Sequence, residues 1–436
     1  ASARPAARRE TQRQAGRVGQ FLPQTRRNAI GWNHVEARAR AQHDSSLARR
    51  RVTLMHGFEH VDFAGDVEIV TALAEARCNH RRRRCRKRTR AVQRHGHALQ
   101  RSIECAGVVE RRQTMPILAN VLLVARENRL SVTATDLEVE LVATADIKSG
   151  SDGGVTVPGR KLLDICRSLP EGAKITIAQE GERVQVKAGK SRFTLSSLPA
   201  AEFPVIDEMN VQQTLDIPQA DLKRLLDKTH FSMAQQDVRY YLNGMLLETD
   251  GKMLRTVATD GHRLALCEMV LATKGKGQQI IVPRKGVLEL QRLLGNEGSV
   301  SLTIGSNHIR VQIADIRFTS KLIDGRFPEY SRVIPANPPR LVQADRDLLR
   351  SALQRTAILS NEKYRGIRLA LKGENLTMQA HNPEQEEAEE EIEVKYDGED
   401  LEVGFNVNYL LDAIAAIEGS EVEIGLTDAN SSCLVR

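Results

Sequence analysis

The sequence predicts an α+β chain made of three copies of one domain, the first and last incomplete, and three observations carry that prediction. Residues 254–266 have relatives about one domain length away on either side, at 130–141 and 376–384; from Asp136 to Asp260 is 124 residues and from Asp260 to Asn382 is 122. Strands at 155–158, 280–283 and 403–406 each run into a helix whose apolar positions match, Leu162 with Val287 and Leu410, and Leu163 with Leu288 and Leu411. The composition also breaks near residue 104, so the repeat occupies the chain from about 105 onward, with boundaries at 105–211, 212–339 and 340–436.

Residues 1–104 read as an Arg-rich leader. Residues 1–100 hold 21 Arg and 1 Lys against 8 acids, whereas the rest of the chain is net acidic, although the whole carries +7. The run Arg81-Arg82-Arg83-Arg84-Cys85-Arg86-Lys87-Arg88 would repel itself in a fold without counter-ions. It suits either a phosphate-neutralising arm or a disordered or non-native leader, such as sequence read in the wrong frame, and the abrupt change of composition favours the latter. Cys78, His80, Cys85, His95 and His97 have the spacing of no common zinc finger, so no metal is expected there.

Each copy should contain a hairpin, a strand running into a helix, and then short alternating strands. The hairpins begin at 117–123, 241–247 and 365–371, and each is followed by a polar turn. Pro158 and Pro283 stand at helix starts, where a missing N–H costs nothing. Apolar residues alternate at 183–187 and 308–313, and the Arg-Phe-Thr segments at 192–194 and 317–319 correspond. Copies two and three also open with a strand and helix, Leu222, Leu225 and Leu226 facing inward in one, Leu348, Leu349, Ala352 and Leu353 in the other. The first copy lacks that pattern near 85–105, and the third stops short of its last strands.

With 41% hydrophobic residues but only 4% aromatic, the cores should be aliphatic. Six irregularly spaced cysteines read as reduced thiols of an intracellular protein, Cys166 and Cys267 within the core. No apolar run approaches the roughly 18 residues of a membrane span, so a cytoplasmic location is expected. There is no Gly-rich phosphate loop, nucleophile elbow or paired-His motif, and Asp260 is explained as the cap of a turn whose Gly261 supplies positive φ. The acidic run at 384–391 reads as a solvated strand edge. The residues favour a binding protein over an enzyme, with no cofactor. Helices bearing outward Lys and Arg on an acidic body could form a track for a polyanion, although the third copy's second helix, with Asp412 and Glu418 and no base, interrupts it.

Five segments carry a specific resemblance: 236–244, 258–264, 282–286, 359–366 and 382–388 closely resemble the bacterial DNA polymerase III β subunit, the replicative sliding clamp. The resemblance covers about Ala106 to Ser432 and implies clamp-type domains in a head-to-tail homodimer, a ring around duplex DNA. It implies DNA contacts at Arg112, Gln236, Tyr241, Arg284 and Lys285, and a dimer edge where Phe193 and Leu195 meet Ile358 and Leu359. It further implies a hydrophobic cleft for short peptide motifs of polymerases, the clamp loader and repair proteins. That cleft would use Leu242, Thr259, Gly261, His262, Arg263, Leu264, Pro328, Arg332, Val333, Asn406, Tyr409 and Ser432. The alternatives are an assembly-defective fragment that only binds partner peptides, and an Arg-armed nucleic-acid binder using residues 1–104.

Overall fold

The computed structural model describes residues 115–147, 152–170, 173–206, 209–272 and 276–436. The leader, its Cys and His residues, and Arg112 lie outside the described residues. No helix among those described is long and apolar enough to cross a membrane.

The second copy shows the domain at its fullest. It runs β8 (Val211–Pro218), α2 (Gln219–Asp227), β9 (Gly244–Thr249), β10 (Met253–Thr259), β11 (Leu264–Val270), β12 (Gln278–Pro283), α3 (Arg284–Leu293), β13 (Ser299–Gly305), β14 (His308–Ile313) and β15 (Ile316–Lys321). Among the described residues the first copy shows, in the same order, β1 (Asn120–Arg126), β2 (Arg129–Thr135), β3 (Val139–Asp146), β4 (Gly153–Pro158), α1 (Gly159–Ser168), β5 (Ile175–Glu180), β6 (Arg183–Ala188) and β7 (Ser191–Ser196); the place of an opening strand and helix lies outside them. The third has β16 (Arg340–Asp345), α4 (Arg346–Thr356), β17 (Gly366–Lys372), β18 (Asn375–His381), β19 (Glu387–Glu393), β20 (Leu401–Asn406), α5 (Val407–Ala416), β21 (Glu421–Leu426) and a two-residue β22 (Leu434–Val435).

One sheet of each copy holds its four middle strands, ordered β11-β10-β9-β12 in the second copy and β19-β18-β17-β20 in the third. The first copy's equivalent continues into its neighbour, forming an eight-stranded sheet ordered β4-β1-β2-β3-β15-β14-β13-β8. The seam is the antiparallel pair β3·β15, in which Leu141 faces Phe318 and Val142 faces Arg317. Val139, Leu141 and Ala143 accordingly belong to the second copy's core, and Phe318 is fully buried. Pairing two edges in this way satisfies backbone groups that an open edge leaves to water.

Each copy has an aliphatic core, as the scarcity of aromatics predicts. Leu162, Val287 and Leu410 are buried at matching helix positions. Three local expectations are corrected. Leu348 is 46% exposed rather than inward, because the buried stripe of α4 is Leu349, Ala352, Leu353 and Thr356; Leu348 sits one position off that stripe, and its N–H instead takes the capping carboxylate of Asp345 at 2.8 Å. The hairpins of copies one and two open with 3-10 turns at Pro116–Ala119 and Tyr240–Leu242 before their strands begin. Cys166 and Cys267 are only partly buried and unpaired, although burial pushes the Cys166 thiol up to about 11.

The copies also differ where they pack. At the strand start shared by Asn120, Gly244 and Gly366, a Cβ on Gly244 would lie 2.6 Å from the Val282 carbonyl oxygen and 2.9 Å from Ile323, whereas one on Gly366 would meet nothing within 4 Å. Gly244→Ala should therefore destabilise the protein by about 1–3 kcal/mol, through overpacking against backbone that cannot move aside. Gly366→Ala should be close to neutral by comparison, and thermal unfolding of the two variants checks the contrast.

Candidate functional site

The turn between β10 and β11 is built by Asp260, as its sequence suggests. Asp260 Oδ1 accepts the backbone N–H groups of His262 and Arg263 at 2.9 and 3.0 Å, and Thr259 Oγ1 donates to the Arg263 carbonyl at 2.7 Å. Gly261 has φ +89°, a backbone conformation that favours glycine, and a Cβ there would also push on the end of the Arg239 side chain, 2.8 Å away. Arg239 is held by both carboxylate oxygens of Asp237, whose carboxyl it lowers to about 2, and it also donates to the Asp260 carbonyl.

Arg263 joins the second copy to the third. Its Nε reaches Asp260 Oδ2 at 3.1 Å, one terminal nitrogen donates to Asp412 Oδ2 at 2.6 Å, and the other donates to the Phe231 carbonyl at 2.7 Å. The guanidinium also lies over two rings, 4.6 Å from the Tyr409 centroid and 5.5 Å from Phe231. Lys228 adds a second link through Glu418 and the Ala416 carbonyl at the end of α5. Asn406 caps α5 by accepting the Asn408 N–H, which fixes the start of the helix that carries Tyr409.

Beside this link is an apolar floor. Leu242 is buried with Leu246, Val257, Ile281 and Phe327, while Leu264 and Tyr330 pack against them half-exposed. Pro328, Arg332 and Val333 stand exposed on the segment around the 3-10 turn Tyr330–Arg332, with Val333 59% exposed. A cavity of about 110 Å³ adjoins the floor, shares Leu246, Phe327 and Tyr330 with it, and is lined also by Pro328. The Tyr330 hydroxyl donates to Glu248 there, and burial and that carboxylate push it up to about 12. The structure thus gathers Leu242, Leu264, Phe327 and Tyr330 into one cluster and ties Arg263 to Tyr409. Ser432 lies exposed in the loop between β21 and β22. Phe231, Asp412, Arg239 and Tyr330 complete the arrangement, and nothing in the sequence marked them for it: Phe231 and Asp412 lie 32 and 149 residues from the Arg263 they hold.

The polar positions implied by the resemblance fall in two places. Gln236, at φ +57°, is exposed in the loop before the 3-10 turn in which Tyr240 meets Tyr241 edge-on, their centroids 5.8 Å apart. Arg284 and Lys285 open α3. Arg284 donates to the Met233 carbonyl at 3.2 Å, and burial together with the like charge of Arg263 lowers its pKa. Lys285 forms an ion pair with Asp136 of the first copy.

The outward helix bases are not a simple track. Lys223 pairs with Asp227 at 3.1 Å, Arg224 reaches Cys267 and the Glu268 carbonyl, and Arg355 pairs with both oxygens of Glu390.

Profiles of the N-terminal, central and C-terminal domains of the DNA polymerase III beta subunit match residues 95–207, 216–329 and 331–436. The chain belongs to the DNA polymerase III beta subunit family. Beta sliding clamps of Pseudomonas putida and Escherichia coli are 56% and 52% identical over 334 and 338 residues, which is 76% and 77% of this chain and 91% and 92% of theirs. The crystal structure of the Pseudomonas aeruginosa subunit aligns with a TM-score of 0.76 at 54% identity, covering 78% of this chain and 94% of that one. Another structure of a clamp from that organism is described as bound to griselimycin. The family is a non-catalytic processivity factor, so the site binds rather than reacts.

Proposed function

We propose that this chain acts as a sliding clamp: a homodimeric ring around duplex DNA that tethers polymerases, the clamp loader and repair proteins through the cleft at the junction of its second and third copies. The observation that carries this reading is the β3·β15 seam, because it supplies a rule for joining one copy to the next edge to edge. Topological enclosure needs only weak, sequence-blind phosphate contacts, which leaves the ring free to slide. A replication subunit of this kind works in the bacterial cytoplasm.

The seam's rule supports a register for the dimer. Within the hairpins, Glu140 corresponds to Glu387, and Phe318 to Phe193. Applied to the free edges β7 and β19, it sets Phe193 opposite Ala388 and Arg192 opposite Glu389, with Glu387 on the diagonal. Phe193 is only half-buried where its counterpart Phe318 is fully buried, consistent with a strand still to be added. Leu195 faces its own core at 7% exposure, so its part in the seam is to fix the strand, whereas Ile358, 74% exposed beside β19, offers apolar surface directly.

For the cleft, the half-exposed Leu264 and exposed Val333 above a buried floor suit the apolar anchors of a partner peptide. Gln236, Tyr241, Arg284, Lys285 and Arg112 are assigned to DNA. The test is retention on circular against linear DNA after loading: a ring stays on the former and leaves the ends of the latter.

A further inference from the structure

At both junctions between copies, a charged residue from the hairpin turn of one copy docks on the second helix of the next. The signs are opposite. At the second junction Arg263 meets Asp412 of α5. At the first, Asp136 meets Lys285, the second residue of α3. Asp136 is well placed to hold a cation: its side chain is 6% exposed, and Oδ1 accepts the Glu138 and Val139 N–H groups at 2.9 and 2.7 Å, leaving Oδ2 for Lys285.

The electrostatics of α3 give this contact a role. A helix N-terminus favours anions, yet α3 opens with Arg284 and Lys285, has no acid in its first turn, and has no side-chain cap. Asp136 brings an anion to that end from another copy. A DNA phosphate would seek the same place for the same reasons.

We propose that Asp136 is a resident anion that competes with DNA phosphate for Lys285, and so limits how tightly the clamp grips the duplex it slides along. This rests on the assignment of Lys285 to DNA. Asp136 is a positioning residue here; it touches no DNA itself.

Asp136→Asn is a suitable probe, because Asn382 occupies the equivalent turn of the third copy and its Oδ1 accepts the Glu386 N–H at 2.9 Å. Binding of the full chain to a fluorescent short duplex would be followed by anisotropy between about 20 and 150 mM salt, for wild type, Asp136→Asn, Lys285→Ala and the double variant. Asp136→Asn should bind more tightly, its log–log salt slope steeper by about one phosphate's worth, roughly 0.9, and the double variant should fall back to the slope of Lys285→Ala. A change in melting temperature with an unaltered slope would mean that the pair only braces the junction, and would overturn the proposal. If Lys285→Ala is shallower than wild type while Asp136→Asn matches wild type, the competition fails and the DNA assignment stands. If Lys285→Ala leaves the slope unchanged, the DNA assignment fails and takes the proposal with it.

Discussion

Arg192→Glu should split the dimer, with its dissociation constant rising by roughly 100-fold or more, because it would set like charges opposite and diagonal across the seam. In the proposed register Arg192 faces Glu389, and Glu387 and Glu391 share that exposed face of β19. Glu389→Arg should do the same from the other side. Mixing the two single variants should recover most of the affinity, because the mixed dimer has one seam in which the reversed charges meet and one that is wild type. The double variant should recover most of it as well, through reversed pairs at both seams. Sedimentation equilibrium reads each case. Like charges directly across a strand pair are destabilising in any sheet, but rescue by the double variant depends on these two positions being opposite. A register shifted by one residue would move Arg192 opposite an inward-facing position, and the rescue would vanish.

Leu264→Ala should weaken binding of a partner peptide from a polymerase by about 1–2 kcal/mol, roughly tenfold, without disturbing dimerisation. Leu264 is only half-buried in the free chain, so the truncation removes surface meant for a partner and leaves little internal cavity. The same change at Leu242, which is 2% exposed, would confound binding with stability, since emptying a core position typically costs about 2–5 kcal/mol. Titration calorimetry on wild type and Leu264→Ala, with sedimentation as the control, separates these effects. Unchanged affinity would remove Leu264 from the cleft.

The repeat was legible because it is written in short-range patterns. Apolar residues at helical spacing identified Leu162, Val287 and Leu410, and turn chemistry identified Asp260 and Gly261. Leu348 misled because it adjoins the buried stripe and is equally apolar, and nothing local tells N3 of a helix from the next position. What joins the copies was not legible. Arg263 and Asp412 are 149 residues apart, as are Asp136 and Lys285, and each pair depends on how a turn meets a helix of the next copy. The β3·β15 seam likewise arises from two edges that, taken separately, read as ordinary strands. The strand registers also reveal where the symmetry breaks. Leu264 stands where the first copy has Glu140 and the third Glu387, so an apolar residue in the middle copy replaces acids in the other two.

A sliding clamp closes into a ring that holds DNA by enclosure. The most direct measurement is retention of the full chain on nicked circular DNA after loading by a clamp loader, followed by cutting the circle once. A closed ring should give a complex that survives gel filtration on the circle at salt high enough to screen surface charge, and that is lost when the cut provides an end. Equal loss from circular and linear DNA, or retention that salt alone abolishes, would contradict it.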